Sequence, residues 1–263
     1  MDGAMSIKIY GVPLSQPVRA VLWPCVIKRV AFSFEAAVPG MGGRIGTKGP
    51  DFRAKFPLGT VPALEDKDVH LSESVAILSY LSDKFSWHDI YPTDVLERAR
   101  VHEYMSWSHR NTREASTRVF GPHVRPDARP AGTSWRDEGL KSVEATCKLI
   151  DSYWLQRTPF LAGHAPTIAD FSAYEELAQL GPRFGKLVDF SSHPNLSRWI
   201  EQMASLPHHD AMHASLTELG PLDPLLALDA KQLGAKLGAA TKAGTAAITA
   251  AVKAAEKATP APA

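Results

Sequence analysis

The sequence lacks the features that mark disulfide-rich, nucleic-acid-binding and membrane-spanning proteins. Its two cysteines, Cys25 and Cys147, stand far apart and outside any CxxC spacing, which excludes a disulfide framework and a conventional zinc site. The 29 basic and 28 acidic residues leave a net charge of +1, which favours neither nucleic acid nor an anionic membrane as a partner. No basic N-terminal segment precedes an apolar run, and no later stretch approaches the roughly 18 apolar residues of a membrane span. We expect a soluble, cytoplasmic protein from a reducing compartment.

The apolar residues that are present suffice for a sizeable core. A hydrophobic content of 44% in 263 residues predicts one or two globular domains. Alternation in Ile7–Tyr10 predicts a strand, residues 18–30 predict a helix kinked at Pro24, and residues 31–35 predict a second strand. For this β-α-β unit we expect parallel strands and a right-handed crossover.

Further elements complete a first domain. A short helix over residues 51–56 precedes two strands joined at Asp66–Asp68, which predict an antiparallel hairpin. A helix follows the hairpin. The resulting order, β-α-β-α-β-β-α over residues 5–85, is that of a thioredoxin-like α/β domain with a mixed four-stranded sheet.

The stretch Ser72–Leu81 joins polar residues to a buried helix. Ser72 or Ser74 is expected to cap this helix, and the apolar residues that follow give it a buried face. A helix that starts with Ser and Glu offers free backbone N–H groups beside a hydroxyl and a carboxylate. These groups suit a zwitterionic, amino-acid-like ligand, and simple capping is the alternative interpretation.

Beyond residue 85 the composition changes to that of an all-helical domain. Residues 86–94 have no sustained period and are predicted to be a linker, and residues 95–220 are predicted to form a helical bundle. Helices are expected at 95–120, 135–156, 168–181 and 194–206. The Ala- and Lys-rich residues 221–263 are predicted to be a weak helix or a disordered extension.

A capping box is predicted at the third of these helices. Thr167-Ile168-Ala169-Asp170 has the Ser/Thr-x-x-Asp/Glu form in which two side chains satisfy backbone donors reciprocally. We therefore assign Asp170 to folding and not to chemistry.

Four local motifs, in this order, resemble those of a family. They are Ser15–Ala20, Val61–Leu64, Glu73–Leu81 and the box at Thr167–Asp170. The chain resembles a cytosolic glutathione S-transferase, closest to the theta-like, serine-type members. The resemblance covers about residues 5–215 and omits the tail.

The resemblance implies roles for residues of the first domain. Ser15 stands at the position of the hydroxyl that donates a hydrogen bond to the glutathione sulfur in serine-type members; a plain helix N-cap is its other interpretation. Val61 and Pro62 match the cis-proline turn that pairs with the cysteinyl part of glutathione. Glu73 matches the residue that takes the γ-glutamyl ammonium, and Ser74, with its helix N-terminus, the carboxylate.

Two other residues of the first domain are weaker candidates. Tyr10 lies within the first strand, too far before Arg19 to match the tyrosine-type pattern, so we expect it to pack. Cys25 lies inside the first helix, where a thiol is more often a small core residue than a nucleophile. Thiol transfer and dehydroascorbate reduction are therefore disfavoured.

Basic and aromatic residues are candidates for the rest of the site. The family holds the glycyl carboxylate from the region before the third strand, where Arg44 and Lys48 lie in a loop of five glycines and two prolines over residues 38–50. The second substrate is expected to contact Trp107, Arg110 and Arg113 of the first bundle helix, with solvation as the alternative role for the arginines.

The resulting hypothesis is an enzyme that conjugates glutathione, its co-substrate, to small, largely apolar electrophiles. Thiolate addition or displacement needs no metal, and peroxidase activity is a side reaction of the same site. The family implies a homodimer. The alternative is a non-catalytic scaffold of the same fold that docks through its C-terminal tail, because folds are reused without catalysis.

Overall fold

The computed structural model describes residues 7–132 and 134–257. The predicted domain start at residue 5 and the last six residues of the tail lie outside the described residues. Within those ranges no helix has the length and apolar content that a membrane span requires.

The first domain is a four-stranded mixed sheet with helices. Its elements are β1 (Ile7–Gly11), α1 (Gln16–Ile27), β2 (Ser33–Ala36), α2 (Pro50–Lys55), β3 (Ala63–Asp66), β4 (Val69–Ser72) and α3 (Ser74–Lys84). The strand order is β2-β1-β3-β4, in which β1 pairs parallel with β2 and antiparallel with β3. The β3–β4 pair forms the antiparallel hairpin. The predicted thioredoxin-like domain is thereby confirmed.

The remaining described chain is helical. Its α-helices are α4 (Val95–Ser108), α5 (Gly121–Val124), α6 (Trp135–Leu149), α7 (Ile168–Ala178), α8 (Pro194–Ala204), α9 (His209–Leu219) and α10 (Ala230–Lys257). π-Helical segments follow at Ala115–Phe120 and Ile150–Trp154, and short 3-10 turns at Pro126–Ala128 and Asp223–Ala227. The predicted helical domain after the sheet domain is confirmed, whereas the exact domain boundaries stay predictions.

The first bundle helix is shorter than predicted. It was expected to run over 95–120, but α4 ends at Ser108 and a turn separates it from the π-helical segment. Side chains compete with the helical ladder there, since the Ser108 hydroxyl donates to the Met105 carbonyl at 2.8 Å and Asn111 Nδ2 donates to the Trp107 carbonyl at 2.7 Å. These local hydrogen bonds explain why the helix stops.

The C-terminal segment is an ordered helix. α10 has 28 residues, and its Ala-rich composition gives a high helix propensity. Leu233, Ile248 and Val252 are buried, and Leu237 is half-buried, so the apolar stripe predicted for a weak helix packs against the rest of the chain. α9, which packs against α10, is not predicted as a separate helix.

The two parts of the fold share one hydrophobic core at α1. The ring of Trp23 on α1 packs edge-on against Phe171 of α7 at 5.2 Å between centroids. Its indole N–H donates to the carbonyl of Pro207, between α8 and α9, at 2.7 Å. α1 therefore joins the sheet to the bundle.

The capping box predicted at α7 is confirmed. Asp170 accepts from the backbone N–H of Thr167 at 2.8 Å and from the Thr167 hydroxyl at 2.9 Å. Its second oxygen accepts from Leu161 N–H at 2.9 Å and from the Trp199 indole at 2.8 Å. Because all four donors would be left unpaired without it, this buried carboxylate is a folding residue.

Candidate functional site

An open pocket of about 160 Å³ lies where the sheet domain meets the bundle. One wall comes from α1, the loop before β3 and the start of α3, and the opposite wall comes from α4, the turn after it and α7. The lining residues are Pro17, Ala20, Thr60, Val61, Pro62, Glu73, Ser74, Val75, Tyr104, Met105, Ser108, His109, Thr112, Arg113, Ser172, Ala173 and Glu176.

The corner before β3 lines the pocket through Thr60, Val61 and Pro62. The peptide bond between Val61 and Pro62 is cis. Val61 is half-buried and Pro62 is buried directly before the buried residue Ala63, which pairs with both neighbouring strands. The central strand β3 therefore holds this corner in place.

The start of α3 has an unusual backbone. Glu73 stands at the N-cap position with φ 70° and ψ 118°, a conformation that costs a non-glycine residue about 1–3 kcal/mol. Among the described residues, no side chain caps this helix from that position, so the prediction that Ser72 or Ser74 caps it is wrong. Helix geometry leaves the first N–H groups of α3 without intrahelical acceptors, and the helix dipole adds positive charge there. This end of α3 is suited to an anionic group.

Ser15 lies at the N-cap position of α1. Its N–H donates to the Val12 carbonyl at 3.0 Å, and its own carbonyl accepts from Val18 and Arg19 at 3.1 Å each. Within the described chain the half-buried Ser15 side chain makes no capping hydrogen bond, so capping does not engage its hydroxyl. Ser15 does not line the pocket. Pro17, two positions later in the chain, does.

The bundle wall is formed by one face of α4 and by α7. Arg113 is 39% exposed, and its Nη1 donates to Glu176 Oε1 at 2.8 Å. Glu176 also accepts from the Ser116 hydroxyl and from Gln16 Nε2, the latter at 3.3 Å. Burial raises the pKa of the Glu176 carboxyl, although Arg113 opposes this shift. The pocket thus combines apolar surface with one ion pair.

Family models and relatives match the chain over most of its length. The models described as "Glutathione S-transferase, N-terminal domain" and "Glutathione S-transferase, C-terminal domain" match residues 9–88 and 133–202. Human glutathione S-transferase theta-1 is 32% identical over 214 residues, which cover 78% of this chain and 85% of the relative. The chain belongs to the glutathione S-transferase family.

Other members of the family support a theta-like assignment. Arabidopsis thaliana glutathione S-transferase T3 is 35% identical over 228 residues, 81% of this chain; this chain spans 37% of that relative's length. The structure of human glutathione transferase theta-2 in complex with glutathione superimposes with a TM-score of 0.69 at 25% identity, covering 90% of this chain and 99% of that one. These relatives support a theta-like assignment within the family.

Of the two weaker candidates in the sheet domain, Tyr10 is half-buried and Cys25 lies in the interior. The Tyr10 hydroxyl donates to Glu65 Oε2 at 2.9 Å, and its ring packs on Phe56 at 5.4 Å between centroids. Cys25 is fully buried, and burial raises the pKa of its thiol. Neither residue lines the transferase pocket described above.

The Gly-rich loop places its two basic residues at the surface. Arg44 and Lys48 are exposed and do not line the pocket. The loop is organised by its own hydrogen bonds, among them Val38 N–H to the Ile45 carbonyl at 2.7 Å and Gly40 N–H to the Thr47 hydroxyl at 3.1 Å.

Of the three candidates predicted for the first bundle helix, one lines the pocket, and both arginines lie beyond the end of α4 at Ser108. Arg113 lines the pocket, whereas Trp107 and Arg110 do not. Trp107 packs at 5.7 Å from the ring of Tyr104 and at 5.8 Å from the ring of Trp154. Arg110 is exposed in the turn after α4.

Sequence reasoning missed His109 and Glu176 in the pocket. His109 follows Met105 by four positions and therefore shares its helix face, which was a usable signal. Glu175 and Glu176 stand side by side in a helix whose neighbouring residues are mostly apolar, which indicates two carboxylates that need buried partners.

Proposed function

We propose that this transferase conjugates the glutathione thiolate to small, largely apolar electrophiles, with Ser15 donating a hydrogen bond to the sulfur. One observation carries the proposal: the Val61–Pro62 corner and the N-terminus of α3 line the same pocket, next to the start of α1. A three-part ligand that spans these points would bring its central part near the start of α1. The human theta-2 structure is a complex with glutathione and an unknown ligand.

The chemistry requires stabilisation of a thiolate. A thiol with a pKa of about 8.5 is only a few per cent ionised at neutral pH. Lowering that pKa by ~2 units requires roughly 2.7 kcal/mol of preferential thiolate stabilisation. A hydroxyl that donates to the charged sulfur provides such a preference, because hydrogen bonds to ions are stronger than those between neutral groups. The uncommitted Ser15 hydroxyl has this role in the proposal.

The polar ends of glutathione would be held by separate groups. The exposed Glu73 carboxylate would pair with the γ-glutamyl ammonium. Ser74 and the first N–H groups of α3 would receive the γ-glutamyl carboxylate, as the positive helix end favours. The backbone of Val61 would pair with the cysteinyl part. Arg44 and Lys48 are the candidates for the glycyl carboxylate.

The second substrate would lie against the bundle wall. Arg113, which is 39% exposed, and its partner Glu176 would provide the polar contact, while Tyr104 and Met105, which are 0% and 3% exposed, form the buried backing of that wall. A homodimer and a cytoplasmic location are further proposals; they rest on the family, and light scattering of the purified protein tests the first.

Ser15→Ala tests the proposal most simply. Turnover with a panel of halides, epoxides, isothiocyanates and peroxides should fall by about 30- to 100-fold, the range that ~2–2.7 kcal/mol of thiolate stabilisation implies. Glutathione affinity should change less than about threefold, because the end groups hold the ligand. Ser205→Ala, at an exposed position beyond α8, is the control. Unchanged turnover in Ser15→Ala would refute the role of this hydroxyl, and the absence of a glutathione-induced rise in melting temperature would refute the site.

A further inference from the structure

The loop that carries Ser15 is held by the bundle through Pro13. This loop joins β1 to α1, and Pro13 is buried within it. The Pro13 carbonyl accepts two hydrogen bonds, from Arg19 Nη1 at 2.9 Å and from the Ser215 hydroxyl of α9 at 3.1 Å. Arg19 and Ser215 are both 0% exposed. Their positions, and with them the carbonyl, are therefore fixed by the surrounding packing.

Arg19 is itself anchored to the bundle. Its Nε donates to Glu175 Oε2 of α7 at 2.5 Å, and the other Glu175 oxygen lies 3.1 Å from His213 Nε2 of α9. His213 Nδ1 lies 2.7 Å from the His209 carbonyl. Two helices of the bundle thus reach the loop through buried polar contacts.

The C-terminal helix contacts the same proline. A Cβ atom built at Gly244 of α10 would lie 2.6 Å from Pro13 Cβ and 2.7 Å from Ser215 Cβ, closer than carbon atoms approach in proteins. Only a hydrogen atom fits at this position. By contrast, a Cβ atom at Gly234 or Gly238 of the same helix would meet no described atom within 4 Å.

We propose that Ser215 and Gly244 are positioning residues for Ser15: together they form a seat for Pro13 that fixes the loop and so aims the serine hydroxyl at the glutathione sulfur. The proposal rests on the proposed function. It gives α10, which lies beyond the residues matched by the two family models, a part in the active site.

A small displacement of Pro13 should alter the hydrogen bond from Ser15 to the glutathione sulfur, because the two residues lie in one short loop. Ser15 follows Pro13 by two residues, and its own N–H is tied to Val12 in the same turn. A methyl group at position 244 forces Pro13 or α10 to move, and a misplacement of about 1 Å in a catalytic group can cost 100-fold in rate. Loss of the Ser215 hydroxyl removes one of the two bonds to the Pro13 carbonyl and is the milder change.

The test compares Ser215→Ala and Gly244→Ala with two matched controls. Thr217→Ala removes an exposed hydroxyl of α9 whose bond stays within the helix, and Gly238→Ala adds the same methyl group to α10 where space is open. For each full-length variant, the pKa of bound glutathione is titrated through thiolate absorbance, and kcat, glutathione affinity and Tm are measured.

We expect the two seat variants to raise the bound-thiol pKa by about 0.5–1 unit and to lower kcat by about 3- to 10-fold at a pH below that pKa. Glutathione affinity should stay within about twofold, because the end-group contacts at α3 are untouched. The controls should match the wild-type pKa. A purely structural role would lower Tm without moving the thiol pKa.

The outcomes separate this proposal from the one on which it rests. If the wild type and Ser15→Ala differ in thiol pKa while folded Ser215→Ala and Gly244→Ala match the wild type, the seat is refuted and the role of Ser15 stands. If the wild type and Ser15→Ala bind glutathione with the same thiol pKa, the role of Ser15 fails and the seat fails with it.

Discussion

Replacing Glu175 by Gln removes one charge from a fully buried ion pair while keeping the side chain's shape. Arg19 Nε lies 2.5 Å from Glu175 Oε2, and both side chains are 0% exposed. Burial alone would raise the pKa of Glu175, but His213 and Arg19 lower it, so the carboxyl is ionised at neutral pH. The variant therefore leaves a buried cation without its counter-charge.

The cost of this change is large on the scale of protein stability. Removing one partner of a buried ion pair typically destabilises by about 3–5 kcal/mol. The carbonyl of Pro13 still accepts from Arg19 in the variant, so we expect a value near the lower end, about 3 kcal/mol. Because this pair joins α1 to α7, the loss should weaken the packing of the sheet domain against the bundle.

Equilibrium unfolding in urea, followed by tryptophan fluorescence, measures the effect. Glu201→Gln is the matched control, since the Arg183–Glu201 pair at 3.0 Å is 48% and 71% exposed and should contribute less than about 1 kcal/mol. Replacing both buried partners by apolar side chains should cost less than Glu175→Gln, because no charge is left unpaired. If Glu175→Gln were no more destabilising than Glu201→Gln, the buried pair would not join the domains as argued.

Three further changes test other parts of the structure. Burial would raise the pKa of Glu65, but hydrogen bonds from two lysines and a tyrosine lower it from 4.5 to about 2. The stability that the ionised Glu65 contributes to the fold is therefore complete above about pH 5 and is lost as the pH falls toward 2. Glu65→Gln should lower the free energy of unfolding by about 1–2 kcal/mol at pH 7, a small value because the partner lysines are exposed to solvent. The stability of the variant should fall less steeply at acid pH, and an unchanged dependence on pH would contradict this. Gly238→Ala should stabilise α10 by about 0.5–1 kcal/mol in thermal unfolding, and a loss of stability would contradict the open space there. Asp170→Ala should cost at least about 3 kcal/mol, against about 1 kcal/mol for Asp94→Ala at the exposed cap of α4; equal costs in urea unfolding would refute the role of the buried carboxylate.

The order of the first domain could be predicted because its signals are local. Alternating apolar residues and turn residues mark each strand, and only one register places Ile7 and Ile9 in the core. The motif residues Val61, Pro62 and Glu73 are local in the same sense, and all three line the pocket.

Of the parts that the sequence did not predict, one depends on partners distant in the chain and another on side-chain hydrogen bonds within a single turn. α10 is an ordered helix because α9 and the loop at Pro13 cover its apolar side, which no local pattern reveals. The break after Ser108 depends on hydrogen bonds between side chains and the backbone within one turn.

The most direct test of the central claim is the pKa of the glutathione thiol bound to the wild type and to Ser15→Ala, titrated by thiolate absorbance. The account predicts a wild-type value ~2 units below the free value of about 8.5 and a return most of the way toward it in Ser15→Ala. Equal thiol pKa values in the two proteins would contradict the claim that Ser15 stabilises the thiolate.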